Sequence, residues 1–240
     1  MLDAVPLPAV ECIPCDNPQV HGVLGIDETR ARRFAWSDGT PCVALGFEWD
    51  WLFAYHQRDP RRCREHLDRV AGRGFNYIVT NVYAHTGFST PDPSGKDARD
   101  IDAQHIYGPP DLYVFGGTND TPDHSRLNVD FFRDFDALMA MLHQRGIVVH
   151  LMIQVQNKHV AWPARRSAED DLFWRYVVAR YQAYGNVVWD ISKECFYLVT
   201  EDNGFEYLLD RIRCVRRCDA YGHLVTAHDV QRESYVQNTV

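Results

Sequence analysis

The stretch Gly185-Asn186-Val187-Val188-Trp189-Asp190-Ile191-Ser192-Lys193-Glu194 decides the fold. Its β-forming residues make a nearly continuous apolar run, which is typical of a parallel strand covered on both faces. Gly185 is expected to end the preceding helix, because a glycine just past the last turn adopts left-handed geometry at little cost. Charged residues gather at the other end, where ligands and catalytic groups sit in α/β proteins. We therefore take Glu194 as the centre of a predicted site.

The order of helix, glycine and strand occurs four times along the chain. The predicted pairs are a helix over 61–73 before a strand over 75–83, a helix over 129–145 with Asn128 as N-cap before a strand over 147–153, a helix from Ser167 to about Tyr184 before the Glu194 strand, and a helix over 205–221 before a strand over 223–227. One more buried strand is predicted over 41–47. Such alternation of helices and buried strands predicts a parallel sheet.

Right-handed crossovers could close this sheet into a barrel or leave it open. Two features favour the barrel: no glycine-rich phosphate loop follows the first strand, and every strand end carries polar or aromatic residues. A closed barrel needs eight strands and about 250 residues, whereas five strands are visible here. The predicted fold class is therefore α/β. An incomplete (β/α)8 TIM barrel over 37–240, truncated after its fifth strand, follows an irregular, β-rich segment over 1–36.

Composition and charge exclude several classes of protein. The net charge of −8 and the lack of a basic stripe predict no nucleic-acid partner. No apolar run approaches about 18 residues, so we predict no membrane partner. No signal peptide is visible, so we predict a cytoplasmic location, with secretion as the alternative if the native N-terminus differs. Cys12 and Cys15 have the spacing of a metal knuckle, but no second pair follows, and reduced thiols are the preferred interpretation. We predict no metal and no cofactor.

The segment from Ala84 to Arg126 is long for a connection in an α/β protein. It is rich in Asp, Gly and Pro, and it contains Tyr107, Tyr113 and Phe115. It could form a wall or lid over a substrate cleft, or a surface excursion packed on its own aromatic residues. The sequence does not choose between these two interpretations.

The carboxyl ends of the predicted strands would gather polar and aromatic side chains. Such a surface suits sugars, because hydroxyls need donors and acceptors while C–H faces lie on aromatic rings. Glu194 is the candidate general acid/base, since a carboxyl in an apolar pocket can stay protonated and donate to a glycosidic oxygen. Lys193 competes with this role, because a nearby ammonium favours the carboxylate. The candidate substrate-binding residues are Glu48, Trp49, Trp51, Asn81, Tyr83, His85, Gln154, Gln156, Asn157, Lys193, His228 and Asp229.

Several of these assignments have a structural alternative. Glu194 could simply pair with its neighbouring lysine or cap a turn. Trp49 and Trp51 fit core or hinge packing as well as they fit a sugar platform. His150 lies inside a strand and is expected to be a hydrogen-bonded core histidine. Asp190 is expected to anchor the barrel interior or to orient a neighbour rather than to perform chemistry.

Residues 186–194 resemble the fourth-strand signature of retaining (β/α)8-barrel glycoside hydrolases of the large clan A type. In that signature the strand ends in Asn-Glu, and the Glu is the acid/base. Residues 127–132, 146–148 and 178–181 resemble the apiosidase-like and cellulase-like barrels of this type. A short β-sandwich precedes many of these barrels, and residues 38–41 (Asp-Gly-Thr-Pro) resemble the junction. The resemblance covers about residues 21–235.

Two departures from the family pattern matter. Lys193 stands where the family has an Asn that binds the sugar 2-hydroxyl. The family's nucleophile carboxylate follows a seventh strand, which this chain is expected to lack. The resemblance therefore implies retaining hydrolysis of an O-glycosyl bond in a plant or microbial polysaccharide or oligosaccharide, with Glu194 as acid/base and the nucleophile outside the chain. The chain alone is expected to be inactive.

Two alternatives to the hydrolase remain open. The first is a non-catalytic carbohydrate-binding barrel that keeps the scaffold and lacks the nucleophile. The second is a metal-dependent sugar isomerase or epimerase that uses Glu194, His228 and Asp229 as ligands.

Overall fold

The structure is a computed structural model that describes residues 15–30, 32–85 and 109–228. Among these residues, no helix has the length and apolar character to cross a membrane. The strands and helices, numbered in chain order, are β1 (Leu24–Ile26), β2 (Phe34–Trp36), β3 (Pro41–Cys42), β4 (Gly46–Glu48), α1 (Leu52–Arg58), α2 (Pro60–Ala71), β5 (Tyr77–Asn81), β6 (Phe115–Gly117), β7 (Pro122–Leu127), α3 (Val129–His143), β8 (Val148–Val155), α4 (Ala168–Tyr181), β9 (Val187–Lys193), α5 (Cys195–Val199), α6 (Gly204–Cys218) and β10 (Val225–Thr226).

Five parallel strands form the central sheet in the order β10-β9-β8-β5-β4. Side chains alternate between its two faces, as in any strand. On β8, Val149 and Leu151 belong to the main hydrophobic core with the helices, whereas Val148 belongs to a separate cluster with Leu24 and Trp36. The helices thus cover one face, and the other face lines the hollow of a curved sheet. The predicted parallel α/β sheet is confirmed.

A small antiparallel sheet, β1-β2-β3, covers the amino ends of the parallel strands. Leu24 and Trp36 pack there against Val148 and Val188, which lie near the starts of β8 and β9. The backbone N–H of Leu24 donates to the carbonyl of Gly185 at 2.9 Å. Strand β3 belongs to this sheet although it lies beyond residue 36, and the predicted boundary at residue 36 stays a prediction.

Gly185 does not have the left-handed geometry that we predicted. The glycines before the other strands, Gly74, Gly146 and Gly222, have positive φ, but Gly185 does not. A Cβ on Gly185 would lie 2.0 Å from the carbonyl oxygen of Gly22. The glycine is therefore required by the close approach of the small antiparallel sheet and not by the helix end.

The prediction of one buried strand over 41–47 is wrong. The segment divides into β3, in the small antiparallel sheet, and β4, in the parallel sheet. Between and within them, Val43 is 82% exposed and Leu45 is 49% exposed. The physical reason is that the chain passes from one sheet to the other between β3 and β4, so these residues lie in a connection and not in a buried strand.

The predicted helix starts are confirmed at two places. The side chain of Asn128 accepts hydrogen bonds from the backbone of Asp130 and Phe131 at the start of α3. The hydroxyl of Ser167 accepts from the backbone N–H of Asp170 at the start of α4. The Asp170 carboxylate does not complete a capping box, because it accepts from the backbone N–H of Arg166.

Three elements were not predicted from the sequence. Helices α1 and α5 directly follow the ends of β4 and β9, and the hairpin β6-β7 lies inside the segment predicted as a long loop. Tyr113 and Phe115 of that segment are buried in the main core. Tyr107 lies outside the described residues. Their burial in the main core differs from a surface excursion packed on its own aromatic residues, and the choice between the two interpretations stays a prediction.

Candidate functional site

Glu194 lies at the junction of β9 and α5 and has a left-handed backbone conformation, with φ 55° and ψ 45°. For a residue other than glycine this conformation costs about 1–2 kcal/mol and occurs preferentially at functional sites. The carboxylate makes no capping hydrogen bond to α5. The predicted alternative, an ion pair with Lys193, is not found, because that ammonium contacts Glu48 and Asp50. Within the described ranges, the Glu194 carboxylate has no hydrogen bond or ion pair, so the strand-to-helix turn presents it without a partner there.

We expect replacement of Glu194 by Gly to raise the free energy of unfolding by about 1 kcal/mol, because glycine adopts left-handed geometry without strain. The matched control is Glu206→Gly, at an exposed position in the first turn of α6. That change should lower stability by about 1 kcal/mol, since it places glycine in a helix. Urea unfolding of the three proteins measures both effects. Destabilisation by Glu194→Gly would show that the turn is not strained.

Four charged side chains meet at the strand ends. The Nζ atom of Lys193, at the end of β9, contacts Glu48 Oε1 and lies 2.8 Å from Asp50 Oδ2. The Nζ atom of Lys158, after β8, lies 3.0 Å from the same Asp50 oxygen. Strands β8 and β5 lie between β9 and β4 in the sheet order. The ends of β9 and β4 can meet only if the sheet is strongly curved. This ion cluster therefore indicates that the sheet is curved like part of a barrel wall.

Asn81, at the end of β5, completes the ion cluster. Its Nδ2 atom donates to the backbone carbonyl of Asp50 at 3.1 Å and lies 3.3 Å from the carboxylate. Burial raises the pKa of Asp50, but Lys158 and Lys193 outweigh this effect and lower it from 3.8 to about 2. Burial lowers the pKa of Lys193, but Asp50 and then Glu48 outweigh this and raise it. Asp50 is therefore a fixed negative charge and not a proton donor.

We expect Asp50 to stabilise the fold in a pH-dependent way. Because its pKa is lower in the folded chain than the ordinary value of 3.8, its stabilisation is complete above about pH 4 and is lost as the pH falls toward 2. A shift of this size corresponds to about 2 kcal/mol. Urea unfolding of the wild type and of Asp50→Asn at pH 6 and pH 2.5 measures it. The stability difference between the two proteins should shrink at the lower pH; an unchanged difference would contradict the assignment.

The two tryptophans after β4 have different environments. Trp51 is buried, and the Nζ atom of Lys158 lies 5.2 Å from its ring centroid, so it borders the ion cluster. Trp49 packs between Phe47 and Tyr55, with ring centroids 5.8 Å apart in both pairs. Trp49 therefore matches the packing interpretation, and Trp51 is the tryptophan placed at the predicted site.

Tyr83 and His85 follow β5 at the rim of the sheet. The Tyr83 hydroxyl lies 3.4 Å from His85 Nδ1, and Tyr83 itself is buried. His85 Nε2 lies 4.0 Å from Asp120, in the turn of the β6-β7 hairpin. Burial lowers the pKa of His85, although Asp120 opposes this effect. The hairpin thus contributes to the wall beside this rim position.

The three polar residues at the end of β8 are not equivalent. Gln154 is buried, and its amide lies 3.4 Å from both Asp170 and the Tyr207 hydroxyl, in the helix layer. Gln156 Nε2 donates to Ser192 Oγ at 3.3 Å, toward β9. The Oδ1 atom of Asn157 is buried and has no hydrogen-bond partner among the described residues. Gln154 is therefore placed to support the sheet, and its predicted contact with substrate stays a prediction.

His150 and Asp190 lie on the hollow side, beneath the strand ends. Both ring nitrogens of His150 are hydrogen-bonded, to Tyr77 and to Asp190, so the prediction of a satisfied histidine is confirmed. His228 follows β10, and its backbone N–H donates to Asp190 at 3.1 Å. Asp229 lies outside the described residues.

The cysteines and the other residue types that can bind a metal were also located. Cys15 is exposed, and Cys12 lies outside the described range. Within the described ranges, no group of three or more His, Cys, Asp or Glu residues is arranged to hold a metal ion. Sequence reasoning missed Lys158 as a site residue; its only signal was its position directly after the polar run at the end of β8.

Three solved structures illustrate what the fold is similar to. A protein from Bacteroides vulgatus ATCC 8482 named as a candidate glycoside hydrolase has a TM-score of 0.67 and 22% identity, over 91% of this chain and 40% of that one. A family 5 glycoside hydrolase from the same organism has a TM-score of 0.56 and 18% identity, over 91% and 42%. A family 5 mannosidase from Rhizomucor miehei (E301A mutant) has a TM-score of 0.57 and 12% identity, over 88% and 57%.

These likenesses establish the fold alone, because the sequence identity is low in each case. The chain spans about 40–57% of the length of these structures. A search among curated proteins found no significant match. The curved parallel sheet matches part of the barrel of these structures. A family model described as "Apiosidase-like, catalytic domain" matches residues 28–239, and the chain belongs to this family. The predicted resemblance to apiosidase-like barrels is confirmed.

Proposed function

We propose that this chain supplies the acid/base part of a retaining glycoside hydrolase, with Glu194 as the acid/base. The observation that carries the proposal is the strained turn at Glu194, at the end of β9, whose carboxylate has no partner among the residues that the structure describes. A carboxylic acid at such a position can protonate the glycosidic oxygen and then, as a carboxylate, activate water. Family membership and the fold of the neighbouring structures support this role.

The ion cluster would hold the substrate beside Glu194. Glu48 is exposed at the strand ends, and it can accept sugar hydroxyls while Lys193 holds one of its oxygens. Lys193 replaces the family's Asn, and we propose that it donates to the substrate in that position. Trp51, which borders the same cluster, would supply apolar surface for the sugar ring.

A retaining mechanism also needs a nucleophile about 5–5.5 Å from the acid/base. Glu48 and Asp50 are both engaged by Lys193, and Asp50 is further held by Lys158. We therefore propose that the nucleophile is supplied by barrel strands outside residues 1–240. The proposed substrate is an O-linked plant or microbial oligosaccharide or polysaccharide.

The test compares two proteins against a panel of aryl glycosides. We expect the purified 240-residue chain to be inactive, and turnover by it would refute the proposed division of the catalytic groups. A gene product that joins it to the remaining barrel strands should hydrolyse at least one substrate. Proton NMR of the first-formed sugar should show retention of the anomeric configuration. Inversion, or inactivity of the complete barrel on the whole panel, would overturn the proposal.

One observation favours a second candidate, a carbohydrate-binding barrel without catalysis. Lys193 lies where the family pattern has Asn, and it joins two carboxylates in a compact ion cluster. A complete barrel that binds oligosaccharides in calorimetric titrations, yet releases no product, would favour this candidate over the hydrolase.

A further inference from the structure

Three polar side chains form a hydrogen-bonded relay on the hollow side of the sheet. They come from three adjacent strands: Tyr77 from β5, His150 from β8 and Asp190 from β9. The Tyr77 hydroxyl lies 2.9 Å from His150 Nδ1, and His150 Nε2 lies 2.6 Å from Asp190 Oδ2. Asp190 is fully buried. A bond this short between a ring N–H and a carboxylate is charge-assisted and fixes the orientation of the carboxyl group.

The other oxygen of Asp190 binds two backbone N–H groups. Oδ1 accepts from Ser192 at 3.0 Å and from His228 at 3.1 Å. The carbonyl of His228 in turn accepts from the N–H of Cys195 at 2.9 Å. Asp190 therefore holds the chain two residues before Glu194 directly, and the residue after Glu194 through the end of β10.

Asp190 acts on the last residues of β9 before the turn. The ladder between β8 and β9 keeps one register from Met152–Asp190 through Gln154–Ser192 to Val155–Lys193. The N–H of Ser192 donates to the Asp190 side chain. The carboxylate therefore holds the backbone of the last ladder residues, directly before the left-handed turn at Glu194.

We propose that Asp190 is a positioning residue that sets the direction of Glu194, and that His150 and Tyr77 hold Asp190 in its working orientation. The importance of this device for catalysis rests on the proposed function, whereas its effect on the turn does not. A carboxylate buried only for stability would affect the whole chain equally. Asp190 should affect the ends of β9 and β10 in particular.

The test is NMR spectroscopy of the 240-residue chain and its Asp190→Asn variant, which is nearly isosteric. Loss of the charge should raise amide hydrogen exchange at Ser192 and His228 about tenfold, since bonds to charged groups are the stronger ones. The backbone shifts and couplings that report the positive φ of Glu194 should change with them. The exchange of Val149 and Leu151, in the first half of β8, should follow only the change in global stability.

The matched control is Asp219→Asn, because Asp219 is also buried and also binds a β9 side chain and a backbone N–H. Its Oδ2 lies 3.3 Å from Trp189 Nε1 and 2.7 Å from the N–H of His223. We expect Asp219→Asn to lower stability without changing the Glu194 signals. Unchanged Glu194 signals in Asp190→Asn, or equal changes in both variants, would overturn the proposal.

If Asp190→Asn does not fold, variants of His150 decide the question. His150→Leu removes the relay and leaves the two backbone bonds of Asp190 possible, whereas His150→Gln keeps a donor for the carboxylate. The proposal expects altered Glu194 signals in the Leu variant and recovery in the Gln variant. No change in the Leu variant would overturn it. None of these readouts needs hydrolysis, so failure of the proposed function and failure of the positioning role are distinguishable.

Discussion

Replacing Glu194 with Gln in a complete barrel is expected to lower kcat for glycoside hydrolysis by about 10²–10⁴-fold, the usual contribution of a general acid/base. The amide is nearly isosteric but cannot donate a proton to the leaving oxygen. Substrate binding should change little, because the ion cluster at the strand ends is untouched. The loss should therefore appear in kcat and be largest for poor leaving groups, which depend most on protonation. Steady-state kinetics with nitrophenyl and alkyl glycosides measures both trends.

The control for this prediction is Glu201→Gln. Glu201 lies seven residues further along, is exposed, and pairs with Arg165 at 2.5 Å. Its replacement should leave kcat within about twofold, since exposed ion pairs contribute little. A Glu194→Gln protein that retains wild-type kcat on poor leaving groups would exclude this residue as the acid.

Replacing Asp170 with Ala should lower the free energy of unfolding by about 3–5 kcal/mol, as expected when one partner of a buried charge pair is removed. Asp170 is fully buried and accepts from the Tyr207 hydroxyl at 2.9 Å, Trp174 Nε1 at 3.1 Å and the Arg166 N–H at 3.0 Å. Its carboxylate also lies 3.3 Å from the buried Arg211 guanidinium. Alanine would remove the acceptor that these donors share and open a cavity between α4 and α6.

Asp171→Ala is the matched control for Asp170→Ala. Asp171 is the next residue and lies 2.7 Å from the same guanidinium of Arg211, but its side chain is 52% exposed. Its removal should therefore destabilise by less than about 1 kcal/mol. Urea unfolding of the three proteins gives both values. Similar losses in the two variants would show that burial does not distinguish the two carboxylates.

The sequence predicted the parallel sheet well because periodic apolar spacing and glycine breaks are local signals. Asn128 and Ser167 marked helix starts that the structure confirms. The prediction of one strand over 41–47 was wrong for a physical reason: a run of β-forming residues does not reveal that it divides between two sheets. The role of Gly185 also escaped prediction, because it depends on a backbone contact with Gly22, more than 150 positions away in the chain.

The sequence predicted which strand ends would lie near one another, but it did not predict which side chains would contact each other there. Parallel strands bring their carboxyl ends to one edge, so Glu48, Asn81 and Lys193 were gathered correctly from sequence order. Their pairing depends on the curvature of the sheet, which no local pattern encodes. The left-handed backbone conformation of Glu194 could not be predicted either, because the sequence around it is typical of an ordinary strand end.

Among the described residues strand β4 is an edge strand, which has a practical consequence for handling the 240-residue chain. On its outer side, the backbone groups of Gly46–Glu48 face no other strand of the described chain, and Val43, Leu45 and Phe47 are exposed nearby. Where no further strand covers it, an edge of this kind templates pairing with other molecules and leads to aggregation. Low protein concentration, or a charged residue introduced at Val43, will favour a monodisperse sample for the measurements described above.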